Sequence, residues 1–301
     1  MCMLMLNFVK DIIRPNELRR ANLVAIGLFR FLRCVDFSQE KFRILSNYDT
    51  DISRLLITEC GFPIKKQLFN AYIKKHPCIV RFNDNKFITQ DFEDFYHAQL
   101  FYERHTLKFI LGHLSPDEVF VDVGANIGGY SIRTARMAKK VYAFEPELRN
   151  FSFLKENVRL NNLHNIDIRN VAVGGHACKA RLHLSGFHGR SSIVGKGEFV
   201  EVDCVNLDSV LEGKDNIGAV KIDVEGAEAL VLKGAKDTLK RTNFVIIEIR
   251  NPETHTSHLI NQYLTKHGFV FVERHNSNNI FMNKQNFPND HSVEGTLPAF
   301  R

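Results

Sequence analysis

The chain has 301 residues, 44% of them hydrophobic and 25% charged, with a formal net charge of +6 at pH 7. These proportions are ordinary for a soluble globular protein, and six scattered cysteines without a C-x-x-C pair argue against a zinc site or a disulfide framework. The N-terminus has no basic leader with a cleavage site, and its most apolar run, 23–35, is too short to span a bilayer. We therefore expect a cytoplasmic protein with no transmembrane segment.

Residues 1–77 are predicted to form a basic, mostly helical N-terminal extension, in which Pro15, Pro63 and Pro77 mark turns or helix ends. Residues 1–90 carry 15 lysines and arginines against 8 acids, a net of +7, and the rest of the chain is near neutral at −1. A solvated face is the commonest reason for such an excess. A peripheral contact with an anionic surface or substrate stays open, and there is no clear nucleic-acid motif.

The next elements are a hairpin over 78–89, which turns at Asp84-Asn85, and a helix over 91–114 whose aromatic residues recur at helical spacing. Strands and helices then alternate, which predicts a mostly parallel sheet with crossover helices. The predicted strands are 119–123, 141–145, 166–172, 219–223 and 244–249, and the predicted helices are 129–138, 148–161, 226–239 and 255–267. Strands 181–185 and 199–204 flank a Gly/Ser-rich loop. A terminal hairpin over 269–284 precedes a loose tail, 285–301.

The most informative segment is VFVDVGANIGGYS, residues 119–131. An apolar strand runs into a loop with Gly124, Asn126 and Gly128 and then into a helix, the first unit of a doubly wound nucleotide-binding fold. About 20 residues further on, Glu145 ends a second strand, where such folds place a carboxylate on ribose hydroxyls. The loop does not fit the dinucleotide pattern G-x-G-x-x-G, because Asn126 stands where the second glycine belongs. This argues against a dinucleotide oxidoreductase.

A third motif, VKIDVEGAE, residues 220–228, places Asp223 and Glu225 after a buried strand, at the edge where open α/β sheets bind ligands. These two acids and Glu248, near the end of the strand VIIEI, are our candidates for a general base. The alternatives are that Asp223 caps the following helix and that the other acids face water. The same acids can bind a divalent cation, but no full ligand set is visible and we predict no metal. Histidines 188, 255, 258 and 275 are alternative bases.

Together these motifs resemble the FkbM family of S-adenosylmethionine-dependent methyltransferases. The resemblance covers about residues 80–283, and it rests on DVGANIG (122–128), FEP (144–146), LKENVRLNN (154–162), NLDS (206–209), KIDVEGAE (221–228) and VIIEI (245–249). It implies a Rossmann-like class I fold, α/β, with a seven-stranded mostly parallel sheet whose last strand is antiparallel. It also implies a methyltransferase domain over 78–284.

The resemblance further implies the cofactor S-adenosylmethionine and methyl transfer to a hydroxyl of a sugar, a glycan or another small metabolite. The cofactor-binding residues that follow from it are Asp122, Gly124, Ala125, Asn126, Gly128, Glu145, Ala172 and Val173. Asp122 would either accept from the amino group of the cofactor or hold the loop. Ala172 and Val173 would border the adenine. The rival functions are methylation of RNA or protein and a non-catalytic module that keeps the fold as a scaffold.

Overall fold

The computed structural model describes residues 35–36, 43–45, 78–82, 84–99, 103–185, 190–213 and 215–287. The chain separates into two compact units, Met1–Gln99 and Leu100–Arg301. The helices predicted for residues 1–76 lie outside the described residues. Within that range the structure describes only two short strands. The tail beyond residue 287 also lies outside them. The boundary predicted at residue 77 stays a prediction.

The first unit contains a four-stranded sheet in the order β1-β2-β3-β4. Its elements are β1 (Val35–Asp36), β2 (Arg43–Leu45), β3 (Cys78–Phe82), β4 (Asn85–Thr89) and α1 (Phe92–Gln99). The antiparallel pairing of β3 with β4 confirms the hairpin predicted for 78–89. Val80 and Phe87 face each other across this pair, and both are buried.

The second unit is a layered α/β structure around a seven-stranded sheet, with a smaller three-stranded sheet beside it. Its elements are α2 (Arg104–His113), β5 (Val119–Val123), α3 (Gly129–Thr134), β6 (Lys140–Phe144), α4 (Leu148–Leu160), β7 (Ile166–Arg169), β8 (Ala172–Val173), β9 (Cys178–His183), β10 (Phe199–Val205), α5 (Leu207–Val210), β11 (Ile217–Ile222), α6 (Glu228–Lys233), α7 (Lys236–Lys240), β12 (Thr242–Glu248), α8 (His255–Lys266), β13 (Phe269–His275) and β14 (Asn278–Asn283).

The large sheet has the strand order β13-β14-β12-β11-β5-β6-β7. Strands β12, β11, β5, β6 and β7 are parallel neighbours, and β14 is antiparallel to both β12 and β13. The seven strands, the antiparallel last strand and the terminal hairpin are therefore as predicted. Alternate residues of each strand enter one of two apolar clusters: Val121 and Ile222 belong to one, and Phe120 and Ile246 belong to the other. Each face of the sheet is thus covered.

The prediction of one strand over 166–172 is wrong, because this stretch forms β7 and β8 in two different sheets. Between them, the side-chain amide of Asn170 donates to the backbone carbonyls of Glu145 (2.9 Å) and Pro146 (3.0 Å). These bonds tie the chain to the end of β6 at the point where it leaves the large sheet. Strand β8 then pairs with β10, which also pairs with β9.

The single helix predicted over 226–239 is also wrong, because it divides into α6 and α7. The carbonyl of Gly234 accepts from the Asp208 N–H (3.0 Å). A Cβ at Gly234 would lie 2.2 Å from the carbonyl oxygen of Gly174, so only glycine fits this close approach. The Asp208 carboxylate accepts from the N–H groups of Asp237 and Thr238 and so caps α7.

The prediction of a single helix over 91–114 is wrong, because the stretch contains two helices, α1 and α2, which belong to different units. Helix α1 begins where the Asp91 carboxylate accepts from the N–H of Asp94 (2.9 Å), and α2 begins anew after Glu103. None of the helices in the described part of the chain is long and apolar enough to cross a membrane.

Candidate functional site

The glycine loop after β5 is tied to both neighbouring strands. The N–H groups of Gly124 and Ala125 both donate to the carbonyl of Phe144, at 3.0 and 2.9 Å. Gly124 has φ +84°, and a Cβ there would lie 1.8 Å from the carbonyl oxygen of Asp223. Gly128, at φ +92°, precedes α3, and a Cβ there would lie 2.7 Å from a methyl group of Leu154. The loop conformation therefore depends on glycine at both positions.

Asn126 occupies the left-handed region at φ +52°, which asparagine tolerates better than most residues. Its N–H donates to Oε2 of Glu145 at 2.8 Å. Its side-chain oxygen is buried and has no hydrogen-bond partner among the described residues. A buried acceptor without a donor costs free energy. The oxygen would gain a hydrogen bond if the amino group of a ligand donated to it.

Glu145 lies against the loop and holds its backbone. Besides the Asn126 N–H, its carboxylate accepts from the N–H of Glu147 at 2.9 Å. The side chain is 6% exposed, and burial raises its pKa to about 8 in spite of the two backbone hydrogen bonds. With its proton, the carboxyl group has one O–H donor and acceptor capacity beyond these two bonds, so it can bond further polar groups. The predicted bond to ribose hydroxyls stays a prediction.

The raised pKa of Glu145 predicts how stability changes with pH. Between about pH 4.5 and about 8, the folded protein holds a proton on Glu145 that the unfolded chain has lost. The free energy of unfolding therefore falls as pH rises through this window. We expect Glu145→Gln, which carries no ionisable group there, to show a smaller fall in melting temperature between about pH 5 and about pH 8 than the wild type.

The matched control for this measurement is Glu156→Gln. Glu156 is half-exposed and pairs with Arg159 on the surface of α4. This control should keep the wild-type pH dependence in thermal unfolding scans of the unliganded protein. An equal fall in the wild type and in Glu145→Gln would show that Glu145 is ionised throughout the window.

Asp122 is 2% exposed near the end of β5, where Ser131 Oγ of α3 donates to its Oδ2 at 2.5 Å. Burial raises its pKa to about 6, against the opposing effects of Ser131 and Lys221. Of the two roles predicted for Asp122, its contacts are those of a residue that holds the loop to α3. Its contact with a cofactor stays a prediction.

A small open cavity lies between the ends of β5 and β6, the segment 171–173 and the segment 191–193. Three predicted cofactor residues, Gly124, Ala172 and Val173, line this cavity together. Its walls are mostly apolar, and Pro146 and Ile193 contribute to them. The remaining predicted cofactor residues, Asp122, Ala125, Asn126, Gly128 and Glu145, form and support the loop rather than line the cavity. The mostly apolar lining is of the kind that contacts a nucleobase.

The three predicted acids come together at the carboxyl edge of the sheet. One oxygen from each of Asp223, Glu225 and Glu248 lies within 4.8 Å of the others. Arg250 forms ion pairs with Glu225 and, at 3.2 Å, with Glu248. Ser277 Oγ donates to the second oxygen of Glu248 at 2.8 Å. Because Arg250 already contacts oxygens of two of the three acids, we assign no metal to this cluster.

The three acids differ in protonation. Burial raises the pKa of Glu248 to about 8, and the charge and hydrogen bond of Asp223 add to this effect. Burial alone would raise the pKa of Asp223, but Lys221 and the hydrogen bond with Glu248 outweigh it, and the pKa is lowered. Burial and Asp223 raise the pKa of Glu225 to about 7, against Arg250. The opposite directions of these two pKa shifts favour the anion on Asp223 and the proton on Glu248.

The alternative that Asp223 caps the next helix is wrong. Helix α6 begins at Glu228, and its N-cap residue, Ala227, offers no side-chain acceptor. The Gly226 N–H donates to Oε1 of Glu228 instead (2.9 Å). The Asp223 carboxylate, 28% exposed, is thus available at the edge of the sheet.

The described histidines among the alternative bases have contacts or exposure of their own, outside the cluster of Asp223, Glu225 and Glu248. His275 pairs with Glu273 (3.1 Å) and stacks on His105. His255 and His258 lie exposed in the first turn of α8, and His188 lies outside the described residues.

Sequence reasoning missed Lys221, which contacts Asp223 from within β11. Its signal was present, because a lysine two residues before an acid on a strand shares the face of that acid.

Comparison with known proteins identifies the family. The family model for the methyltransferase FkbM domain matches residues 122–271. The hexuronic acid methyltransferase AglP of Haloferax volcanii is 30% identical over 181 residues, which are 54% of this chain and 70% of that protein. The chain belongs to the FkbM methyltransferase family. The matched FkbM domain begins at Asp122 and ends at Phe271, so it contains the loop, Glu145 and the three acids.

Two further relatives of this FkbM protein are more distant. The 2-O-methyltransferase NoeI of Sinorhizobium fredii is 26% identical over 167 residues, 48% of this chain and 68% of that protein. The 31-O-demethyl-FK506 methyltransferase FkbM of Streptomyces tacrolimicus is 28% identical over 217 residues, 59% of this chain and 82% of that protein. The protein is therefore a methyltransferase, as predicted from its motifs.

Proposed function

We propose that this protein is an S-adenosylmethionine-dependent O-methyltransferase that acts on a hydroxyl of a sugar, a glycan or another small metabolite. The observation that carries the proposal is the partly exposed Asp223 carboxylate, which contacts Lys221 and lies beside Glu248 at the edge of the sheet that carries the glycine loop. The names of three relatives, a hexuronic acid methyltransferase and two O-methyltransferases, support the same class of acceptor.

The residues around the cavity fit the cofactor. The unpartnered side-chain oxygen of Asn126 suits the amino group of a methionine moiety, and the remaining acceptor positions of Glu145 suit ribose hydroxyls. The apolar wall at Ala172 and Val173 suits the adenine. When bound, S-adenosylmethionine supplies a methyl group on a sulfonium, which is the electrophile of the reaction.

Asp223 serves as the general base in this proposal. Its carboxylate is ionised at neutral pH, so it can accept the proton of an acceptor hydroxyl while Glu248 keeps its own. General base catalysis of this kind typically contributes about 10²–10⁴-fold to the rate. Arg250 holds Glu225 and Glu248 in place beside the base.

The experiment that tests this function is transfer of a labelled methyl group to a panel of acceptors. The panel holds neutral glycosides, uronic acid glycosides, a transfer RNA and a protein mixture. We expect label on a glycoside and none on the macromolecules. The label should survive mild alkali, because a methyl ether is stable there and a methyl ester is not. Label only on RNA or protein would contradict a small-molecule acceptor, and label only as an alkali-labile ester would contradict O-methylation of a hydroxyl.

A further inference from the structure

Lys221 is a fully buried cation in the middle of the large sheet. It lies in β11 and is 1% exposed, on the sheet face that packs against the apolar cluster of Phe120, Tyr130 and Ile246. Burial of an unpaired ammonium in such surroundings costs several kcal/mol in a typical protein, on the order of the stability of a small domain. A hydrophobic residue would fill this position at no such cost, so the lysine needs a reason.

The contacts of Lys221 point to Asp223. Its Nζ lies 3.1 Å from Asp223 Oδ2 and 5.4 Å from the centre of the Tyr130 ring. Strand β11 alternates, so Lys221 and Asp223 project to the same side, and the carboxylate extends from the buried ammonium towards the exposed edge. The side chain of Lys221 is 2% exposed and that of Asp223 is 28% exposed. The lysine is thus out of reach of an acceptor, whereas the carboxylate is within reach.

Other charged groups face this pair from every neighbouring element. The groups are Asp122 on β5, which pairs with Lys221 in register, Glu103 before α2, Glu248 on β12, and Glu225 and Arg250 at the edge. Asn278 of β14 donates to Glu103 at 3.1 Å and so holds that acid in place. Acids outnumber cations here, and Lys221 is the cation at the centre of the group.

We propose that Lys221 is a positioning residue that makes Asp223, rather than Glu248, the anionic member of the acid pair. It does so by direct contact with one carboxylate oxygen of Asp223 from a site that water and acceptor do not reach. The inference rests on the proposed function, because it assigns to Lys221 the choice of which acid accepts the hydroxyl proton. Without the lysine, burial and the neighbouring acids would leave the shared proton on either carboxyl.

The test is a direct titration of the Asp223 carboxyl by carbon-detected NMR on full-length protein labelled with [¹³Cγ]aspartate. Loss of one signal in Asp223→Asn assigns the resonance. In the wild type we expect the Asp223 carboxyl to titrate below the ordinary range of an aspartate, because of its contact with Lys221. In Lys221→Met, which is close in shape but uncharged, we expect the titration midpoint of Asp223 to rise by about 1–3 pH units.

The matched control is Lys139→Met, which removes a surface lysine that pairs with Asp215 at 2.7 Å. It should leave the Asp223 midpoint unchanged. An unchanged midpoint in Lys221→Met would overturn the proposal. If that variant fails to fold, the wild-type titration still decides: an Asp223 midpoint at or above the ordinary aspartate value would overturn the proposal equally.

A second readout separates this inference from the proposed function. S-adenosylmethionine binding, measured by calorimetry on the same samples, should be alike in the wild type and in Lys221→Met, because Lys221 does not line the cavity. Absence of binding in the wild type would contradict the proposed function. The titration of the Asp223 carboxyl would still test the role of Lys221 in that case. On a glycoside acceptor, Lys221→Met should lower kcat and shift the acid limb of the pH–rate profile upwards, with KM little changed.

Discussion

Replacing Gly124 with alanine should weaken S-adenosylmethionine binding by about 100-fold or more, which corresponds to roughly 3 kcal/mol. The new Cβ would lie 1.8 Å from the Asp223 carbonyl oxygen, and the backbone would be held at φ +84°. The obstacle is backbone rather than a flexible side chain, and the Asp223 N–H is itself bonded to the Val123 carbonyl at 2.9 Å. The loop must therefore move away from β11, and the cavity that it borders changes shape.

The control for this substitution is Gly112→Ala. Gly112 lies in α2 at an ordinary φ, and a Cβ there would meet nothing within 4 Å. Calorimetric titration of both variants, with thermal unfolding to establish that each is folded, should show wild-type affinity in the control alone. Wild-type affinity in a folded Gly124→Ala protein would show that the loop is not part of the cofactor site.

Replacing Asp223 with asparagine should lower turnover by about 10²–10⁴-fold, the range of a positioned base. Asparagine keeps the size of the side chain but cannot accept a proton at neutral pH. The affinity for S-adenosylmethionine should stay within about threefold of the wild type, less than 0.7 kcal/mol, because the Asp223 side chain does not line the cavity. A fall in kcat with unchanged cofactor affinity is the signature of a group that acts in the transition state.

Asp215→Asn is the matched control, since Asp215 is half-exposed and pairs with Lys139 on the surface. Its turnover should equal that of the wild type. If Asp223→Asn also retains wild-type turnover on the glycoside acceptor, Asp223 is not the base. Glu225 and Glu248 would then be the next carboxylates to replace.

The main sheet was predictable from sequence because its strands carry strong local signals. Strands β5, β11 and β12 are mostly apolar runs of five, six and seven residues, and Gly124 and Gly128 mark the loop that follows β5. The acids that end these strands share one edge because parallel strands end on the same side. The sequence therefore predicts that Asp223 and Glu248 lie at the same edge of the sheet.

The errors fall where tertiary contacts override local pattern. The stretch 166–172 reads as one strand, but the side chain of Asn170 ties it to β6 and it divides between two sheets. The stretch 226–239 reads as one helix, but it breaks where Gly234 meets the backbone of Gly174. Both partners are distant in sequence, so no local pattern records them.

The protonation of the site was likewise beyond sequence. A carboxyl at a strand end gives no sign of whether it is ionised, because the answer depends on burial and on neighbours from other elements. Burial separates Glu145, with a pKa of about 8, from an ordinary surface glutamate. The contact of Lys221 with Asp223 can be inferred from their spacing, but the burial of Lys221 depends on the neighbouring strands.

The central claim is that the glycine loop and the cavity beside it bind S-adenosylmethionine. Calorimetric titration of the purified full-length protein with S-adenosylmethionine and, separately, with NAD tests it most directly. We expect saturable 1:1 binding of S-adenosylmethionine and no heat of binding with NAD, because Asn126 replaces the bare backbone that a pyrophosphate needs. Binding of NAD alone, or of neither molecule to a folded protein, would contradict the account.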